Sequence, residues 1–244
     1  MLLLWMLLAA GFGLAAGVLL PRAVYRFSVG PEEPWRDRCP AGHPLPGPAG
    51  GWLGRAYCAG CPGPYGPRAR WFAVAGAVVC GTLAAVVGPR PELAVWLVAV
   101  PAGLVLAAVD RAVNRLPDVL TLPLAGGVTA LLGVAALLPG AEGSWPRAVL
   151  GGVVLAGVFG VLFLIQPNGM GFGDVKLALA LGVALGWYGW GVLLVGAFLG
   201  FALCAVYGTV LVLRGRADGG TALAFGPFLV LGALAGVLLG GMWV

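Results

Sequence analysis

Two aspartates in an otherwise apolar chain are the residues best suited to chemistry. Asp174 sits in the run Gly169-Met170-Gly171-Phe172-Gly173-Asp174-Val175-Lys176, and Asp110 ends another apolar stretch 64 positions upstream. A carboxylate held at the edge of a bilayer is costly, and such residues mark functional sites by default. Two of them point to acid/base chemistry on a substrate that is itself in or near the membrane. Local alternatives stand beside this reading. Asp110 could pair with Arg111 or Arg115, and Asp174 could be a buried polar group satisfied by neighbouring helices. The glycines flanking Asp174 let backbone approach it closely or bend a helix end, and Lys176 could snorkel to the lipid headgroups. A third carboxylate, Asp118, follows Leu116-Pro117. Pro117 disfavours helix at Leu116, which makes Asp118 a natural N-cap for the next helix.

A second group of reactive residues lies between the first two apolar runs. Cys39 and His43 form a C-x3-H pair, 14 residues follow, and Cys58 and Cys61 form a C-x2-C pair. Thiolates and an imidazole in two close pairs, each on a tight turn, match tetrahedral zinc. Proline and glycine are too dense here for an apolar core to hold the loop, so a metal staple would have a physical job. Four protein ligands leave no open position, so the role is structural. The alternative is a set of free thiols beside an exposed histidine, since a disulfide does not suit a cytoplasmic loop. Cys80 and Cys204 lie inside apolar runs and are expected to pack there.

The elements that must position these residues are membrane helices. Of 244 residues, 61% are hydrophobic and only 9% are charged, with a mean hydropathy of +1.01. Soluble domains carry about a quarter charged residues, and a span needs roughly 20 apolar residues. The chain therefore has room for several spans and not for a large soluble domain as well. Apolar blocks cover residues 2–20, 71–88, 92–109, 119–138, 148–166, 175–187, 189–213 and 222–243. The expected fold is an all-α polytopic membrane protein of eight transmembrane helices. Its division is residues 1–20 as the first span, 21–70 as a loop-rich cytoplasmic Cys/His insertion stapled by zinc, and 71–244 as helices two to eight. Only Gly186-Trp187-Tyr188-Gly189-Trp190 separates the sixth and seventh blocks. Tryptophan and tyrosine prefer the membrane interface, which predicts a hairpin turn there.

Basic residues orient the spans, because short cytoplasmic loops carry the excess of Lys and Arg. Arg22, Arg26, Arg36, Arg38, Arg55, Arg68 and Arg70 put the segment 21–70 in the cytoplasm. Eight spans then place Arg111, Arg115, Lys176, Arg214 and Arg216 on that side and leave Arg90 and Arg147 outside. Both termini are expected outside, with Asp110 and Asp174 at cytoplasmic helix ends. Orientation accounts for the net charge of +5 without nucleic acid as a partner. The opening Met1-Leu2-Leu3-Leu4-Trp5-Met6 lacks a basic region ahead of its apolar stretch, so it reads as a retained span rather than a cleaved signal.

Asp110 with Leu116-Pro117-Asp118, followed by Gly169-Met170-Gly171-Phe172-Gly173-Asp174-Val175-Lys176-Leu177, resembles the bacterial type IV prepilin peptidases, which are GxGD-type intramembrane aspartyl proteases. Gly11 to Arg26 resembles their first span and its basic exit, the cysteine loop their cytoplasmic metal-binding domain, and Ala224-Phe225-Gly226-Pro227-Phe228 their last span. The resemblance implies that Asp110 and Asp174 are the catalytic pair, with Leu116, Pro117, Asp118, Gly171, Gly173 and Lys176 as supporting motif residues. One carboxylate acts as base on a water while the other protonates the scissile carbonyl oxygen, with no nucleophilic Ser or Cys and no catalytic metal. The implied substrate is a pilin or pseudopilin precursor with a short basic leader, usually ending in Gly, ahead of an apolar helix, and the implied location is the bacterial inner membrane. Longer bacterial members present two C-x2-C pairs and also N-methylate the cleaved pilin. Here the first pair is Cys39 with His43, so S-adenosylmethionine is a cofactor only if that second activity is retained. Two readings from other classes compete: an ion-coupled polytopic transporter using the carboxylates, and a non-catalytic assembly factor of an envelope complex. The sequence shows no carboxylate at mid-span and no inverted repeat, which counts against the transporter.

Overall fold

Eight apolar runs become eight long helices in the computed structural model, which describes residues 1–167, 169–216 and 223–243. In chain order they are α1 (Leu2–Phe27), the single turn α2 (Pro48–Gly51), α3 (Ala69–Val87), α4 (Pro91–Val113), α5 (Asp118–Ala135), α6 (Trp145–Ile165), α7 (Phe172–Tyr188), α8 (Trp190–Leu213) and α9 (Gly226–Trp243). No strand occurs among the described residues, and the protein is all-helical. Among the described residues, seven helices are long and apolar enough to cross a membrane. The eighth, α7, has 17 residues, about 26 Å at 1.5 Å per residue. Its sides face other helices rather than lipid. Ala222, where the last apolar block begins, lies outside the described residues.

Glycine lets these helices approach one another. A Cβ on Gly13 of α1 would stand 2.1 Å from the Gly76 carbonyl oxygen of α3. One on Gly182 of α7 would stand 2.6 Å from Gly151 O of α6, and one on Gly232 of α9 would stand 2.4 Å from Gly196 O of α8. Between apolar helices in lipid the attraction is close van der Waals packing, which small residues permit. The pairs α1–α3, α6–α7 and α8–α9 follow, and α7 also packs on α5 and α9. As a result α7 is the central helix, with Leu177, Ala178 and Trp187 wholly buried.

The turn between α7 and α8 is a single residue, Gly189, at φ 143°. The aromatic residues beside it differ from expectation: Trp187 and Tyr188 are buried in the bundle instead of standing at the lipid interface. A side-chain hydrogen bond fixes Tyr188, and a backbone one fixes Trp187, whose indole N–H has no partner among the described residues. The Trp96 indole N–H donates to Tyr188 OH at 3.0 Å, and the Arg147 guanidinium donates to the Trp187 carbonyl at 2.8 Å.

α1 runs past residue 20 to Phe27, and its last turns carry the loop of residues 28–68. Arg22 donates to the carbonyls of Pro46 and Arg55, and Arg26 donates to Gly50 O while lying 4.0 Å from the Trp52 ring centroid. Phe27, Trp35 and Trp52 form an aromatic cluster against this helix end. The loop has few apolar residues of its own and borrows a wall from α1.

Candidate active site and metal centre

Asp110 lies in the last turn of α4 and Asp174 in the first turn of α7. Both are buried, and both line one cavity of about 350 Å³ with Asn114, Arg115, Met170 and Phe225. The Trp96–Tyr188 hydrogen bond joins the opposite ends of the same two helices. α4 and α7 therefore run antiparallel and deliver their carboxylates to the same end of the bundle.

Each aspartate has one oxygen fixed by backbone. Gly226 N–H at the start of α9 donates to Asp110 Oδ2 at 2.8 Å, and Gly171 N–H donates to Asp174 Oδ2 at 3.1 Å. The second contact is a helix cap in reverse, in which the third residue of α7 reaches back to the residue before the helix. Asp174 Oδ1 is buried with no hydrogen-bond partner among the described residues. Burying such an atom unpaired costs ~1–3 kcal/mol or more, a cost without structural benefit. Such an atom in a cavity marks a candidate functional site.

The two motif glycines do different things. A Cβ on Gly173 would stand 2.9 Å from that of Leu116, so its absence lets the first turn of α7 lie on the Leu116-Pro117 corner. A Cβ on Gly171 would meet nothing closer than Asp174 Oδ2 at 3.6 Å, so this position serves through its N–H. Gly226 is the third close approach, because a Cβ there would be 2.9 Å from Asp110 Oδ2.

Three local readings need correction. Asp118 does not cap α5: Pro117 occupies the cap position, no side-chain cap bond forms, and Asp118 is the first helical residue. Its Oδ1 instead lies 2.7 Å from Lys176 Nζ. Lys176 therefore does not reach for lipid headgroups, and its ammonium also sits 4.9 Å from the Phe172 ring centroid. Asp110 pairs with neither Arg111 nor Arg115. Arg115 turns away to donate to Gly30 O at 2.7 Å, which ties the loop after α1 to the carboxylate end of the bundle.

One carboxylate escaped sequence reasoning. Glu92, in the first turn of α4, is fully buried with neither oxygen hydrogen-bonded among the described residues, at the end of the bundle opposite Asp110. An acid just after a proline reads as an ordinary first-turn residue, and only tertiary packing buries it. Deeper in the bundle, one turn inward from the aspartates at Ala107 and Leu177, lies an apolar cavity of about 290 Å³.

The loop brings its four reactive residues together. Two tight turns, closed by Cys39 N–H to His43 O and by Cys61 N–H to Cys58 O, each present one pair. The ligand atoms of Cys39, His43, Cys58 and Cys61 all lie within 4.8 Å of one another. Cys39 Sγ is 3.4 Å from His43 Nδ1 and 3.5 Å from Cys61 Sγ, and Cys58 Sγ is 3.5 Å from the same nitrogen. A tetrahedron with Zn–S bonds of ~2.3 Å has edges of ~3.8 Å, so the cluster has the size and donor set for a tetrahedral metal. Clustered thiols resist ionising together. Burial raises the Cys39 thiol, yet hydrogen bonds from Cys61 and from the Ala41 and His43 backbone outweigh it and bring it down to about 6. Cys61, the donor to Cys39 and also affected by burial, is pushed up to about 11. A divalent cation removes that conflict.

The fold and the site define a class: a helical multi-pass membrane protein with two buried aspartates on one cavity and a Cys/His module at the same end. A model of the type IV leader peptidase family matches residues 97–209, which include both aspartates. A leader peptidase HopD of Salmonella typhimurium is 34% identical over 143 residues, covering 56% of this chain and 85% of that one. The chain belongs to the type IV leader peptidase family. It is also 31% identical to a prepilin leader peptidase/N-methyltransferase of Stutzerimonas stutzeri, over 78% of this chain and 65% of that protein. A namesake from Burkholderia pseudomallei is 36% identical over 76% and 59%, respectively. The chain thus spans less than two thirds of the length of these two relatives. No solved structure matches it.

Proposed function

We propose that this protein is a membrane-embedded aspartic endopeptidase that removes the short basic leader from type IV prepilin or pseudopilin precursors. The observation that carries the proposal is the shared cavity of Asp110 and Asp174, two buried carboxylates on antiparallel helices, in a member of a leader peptidase family. One carboxylate takes a proton from the attacking water while the other gives its proton to the scissile carbonyl oxygen. Asp174 Oδ1, the oxygen without a partner, is the atom available to hold that water. The backbone N–H groups of Gly171 and Gly226 keep the other oxygens still. Leu116, Pro117, Asp118, Gly173 and Lys176 support the pair by fixing α5 against α7.

The site faces the cytoplasm in this reading, with both chain termini outside. The Cys/His loop and its arginines lie at the Asp110 end through Arg115 and Gly30, whereas Arg90 and Arg147 lie at the other end, beside Gly241 and Gly186. A substrate with a basic leader and an apolar helix suits such an edge, since the leader stays in water while the helix stays in lipid. The domain division follows: a first span, a cytoplasmic module, and a protease bundle. Zinc on Cys39, His43, Cys58 and Cys61 is structural and would staple the module. S-adenosylmethionine would serve only a second, methyl-transferring activity, which incorporation of labelled methyl into cleaved pilin decides. Carboxylates at helix ends rather than mid-span favour hydrolysis over ion-coupled transport.

The test is incubation of purified protein with a precursor pilin in detergent or vesicles. Wild type should release the leader, and Asp110→Ala and Asp174→Ala should not. Full cleavage by Asp174→Ala would overturn the proposal.

A further inference from the structure

A cleft of about 860 Å³ opens between the ends of α1 and α3 and the Cys/His module, and its polar lining is basic. Arg22, Arg55, Arg68 and Arg70 line it with Val18 and Tyr57, and no carboxylate does. Arg22 is committed to loop carbonyls and shapes one wall. Arg55, Arg68 and Arg70 are exposed, and among the described residues none forms an ion pair. Guanidinium groups gathered around one space without counter-charge repel each other, and an anion between them relieves that repulsion.

The position of the cleft identifies the anion. Arg68 precedes the first residue of α3 and Arg70 lies in its first turn, where that helix enters the membrane. The Arg70 guanidinium lies 5.2 Å from the ring centroid of Trp71, which is 63% exposed, an aromatic at the height expected of an interfacial belt. Val18 belongs to the apolar body of α1. One wall is therefore apolar and membrane-level, and the other is arginine at headgroup level. Neither ligand discussed above suits it: S-adenosylmethionine, with a sulfonium and an ammonium against one carboxylate, is a net cation, and a basic leader would be repelled. Guanidinium pairs well with phosphate, and basic pockets beside membrane helices take anionic headgroups.

We propose that this cleft binds the phosphate of an anionic phospholipid headgroup, which bridges the Cys/His module to α1 and α3 at the membrane surface. This proposal stands apart from the protease reading, because it involves neither aspartate and is measured without cleavage.

The experiment is native mass spectrometry of the full chain with phosphatidylglycerol or phosphatidylcholine, alongside thermal unfolding in the same lipids. Wild type should retain phosphatidylglycerol in preference to phosphatidylcholine and unfold at higher temperature with it. Arg55→Gln/Arg68→Gln/Arg70→Gln should weaken retention on the order of 100-fold, about fivefold per arginine. If the triple variant fails to fold, each single variant should still show its several-fold loss. Arg214→Gln/Arg216→Gln, which removes charge elsewhere, should behave as wild type. Undiminished retention in the cleft variants, or equal loss in the Arg214/Arg216 control, overturns the site. Equal stabilisation by inorganic phosphate alone overturns the lipid as its occupant.

Discussion

Lys176 Nζ lies 2.7 Å from Asp118 Oδ1, joining the second turn of α7 to the first turn of α5. Asp118 is well suited to its helix N-terminus, where negative charge is favourable, but its side chain is 60% exposed. Exposed pairs contribute ~0.2–1 kcal/mol. Asp118→Asn should therefore lower thermal stability slightly and leave substantial leader cleavage. A double-mutant cycle with Lys176→Met should give a coupling in the same range, and loss of all cleavage in Asp118→Asn would instead put that carboxylate in the chemistry.

Gly173 and Gly226 should be intolerant of even one methyl group. Their Cβ atoms would stand 2.9 Å from Leu116 Cβ and from Asp110 Oδ2, respectively. Displacing a catalytic group by ~1 Å can cost about 100-fold in rate. Gly173→Ala should reduce cleavage by about 10- to 100-fold, and Leu116→Gly in the same protein, which removes the opposing Cβ, should restore part of it. Gly226→Ala should have no such suppressor, because its obstacle is the aspartate itself. Equal cleavage by wild type and Gly226→Ala would show that α9 plays no part in placing Asp110.

Tyr188→Phe removes the acceptor of the buried Trp96 indole N–H. Leaving that donor unpaired should cost ~1–3 kcal/mol, read as a lower midpoint in thermal or denaturant unfolding. Trp96→Phe with Tyr188→Phe should cost less than the sum of the two, since both ends of one bond are removed.

Metal removal should act on the loop before it acts on the bundle. Purified wild type is expected to carry one zinc, measured by elemental analysis, and Cys58→Ser or Cys61→Ser should lose it. Chelation should open residues 28–68 to protease while α4 and α7 stay protected. Unchanged zinc content in the cysteine variants would remove the metal from the account.

The helical class and the eight apolar runs were legible in the sequence because both depend on local composition, since an apolar run in lipid must be helical wherever it sits. The same holds for the two turns of the Cys/His loop, where proline and glycine spacing fixes each pair. Asp110 and Asp174 stood out as candidates because a carboxylate at the end of an apolar run is anomalous by itself. That α7 is shorter than the seven helices long enough to cross a membrane was not legible, and neither were partners. Asp118 was expected to cap its own helix and pairs with Lys176, Asp110 takes a backbone N–H from α9 and not the arginine pair that was its local alternative, and Trp187 left the interface for the core. Each of those outcomes depends on which helix lies alongside, and helix neighbours in a membrane are chosen by glycine-lined contact surfaces scattered across the chain. The sequence by itself determined that this protein has eight apolar runs, two pairs of metal-ligating residues in one loop, and two costly aspartates 64 residues apart. Only the tertiary structure decided that the aspartates share a cavity, because α4 and α7 run antiparallel and are joined at their far ends by Trp96 and Tyr188.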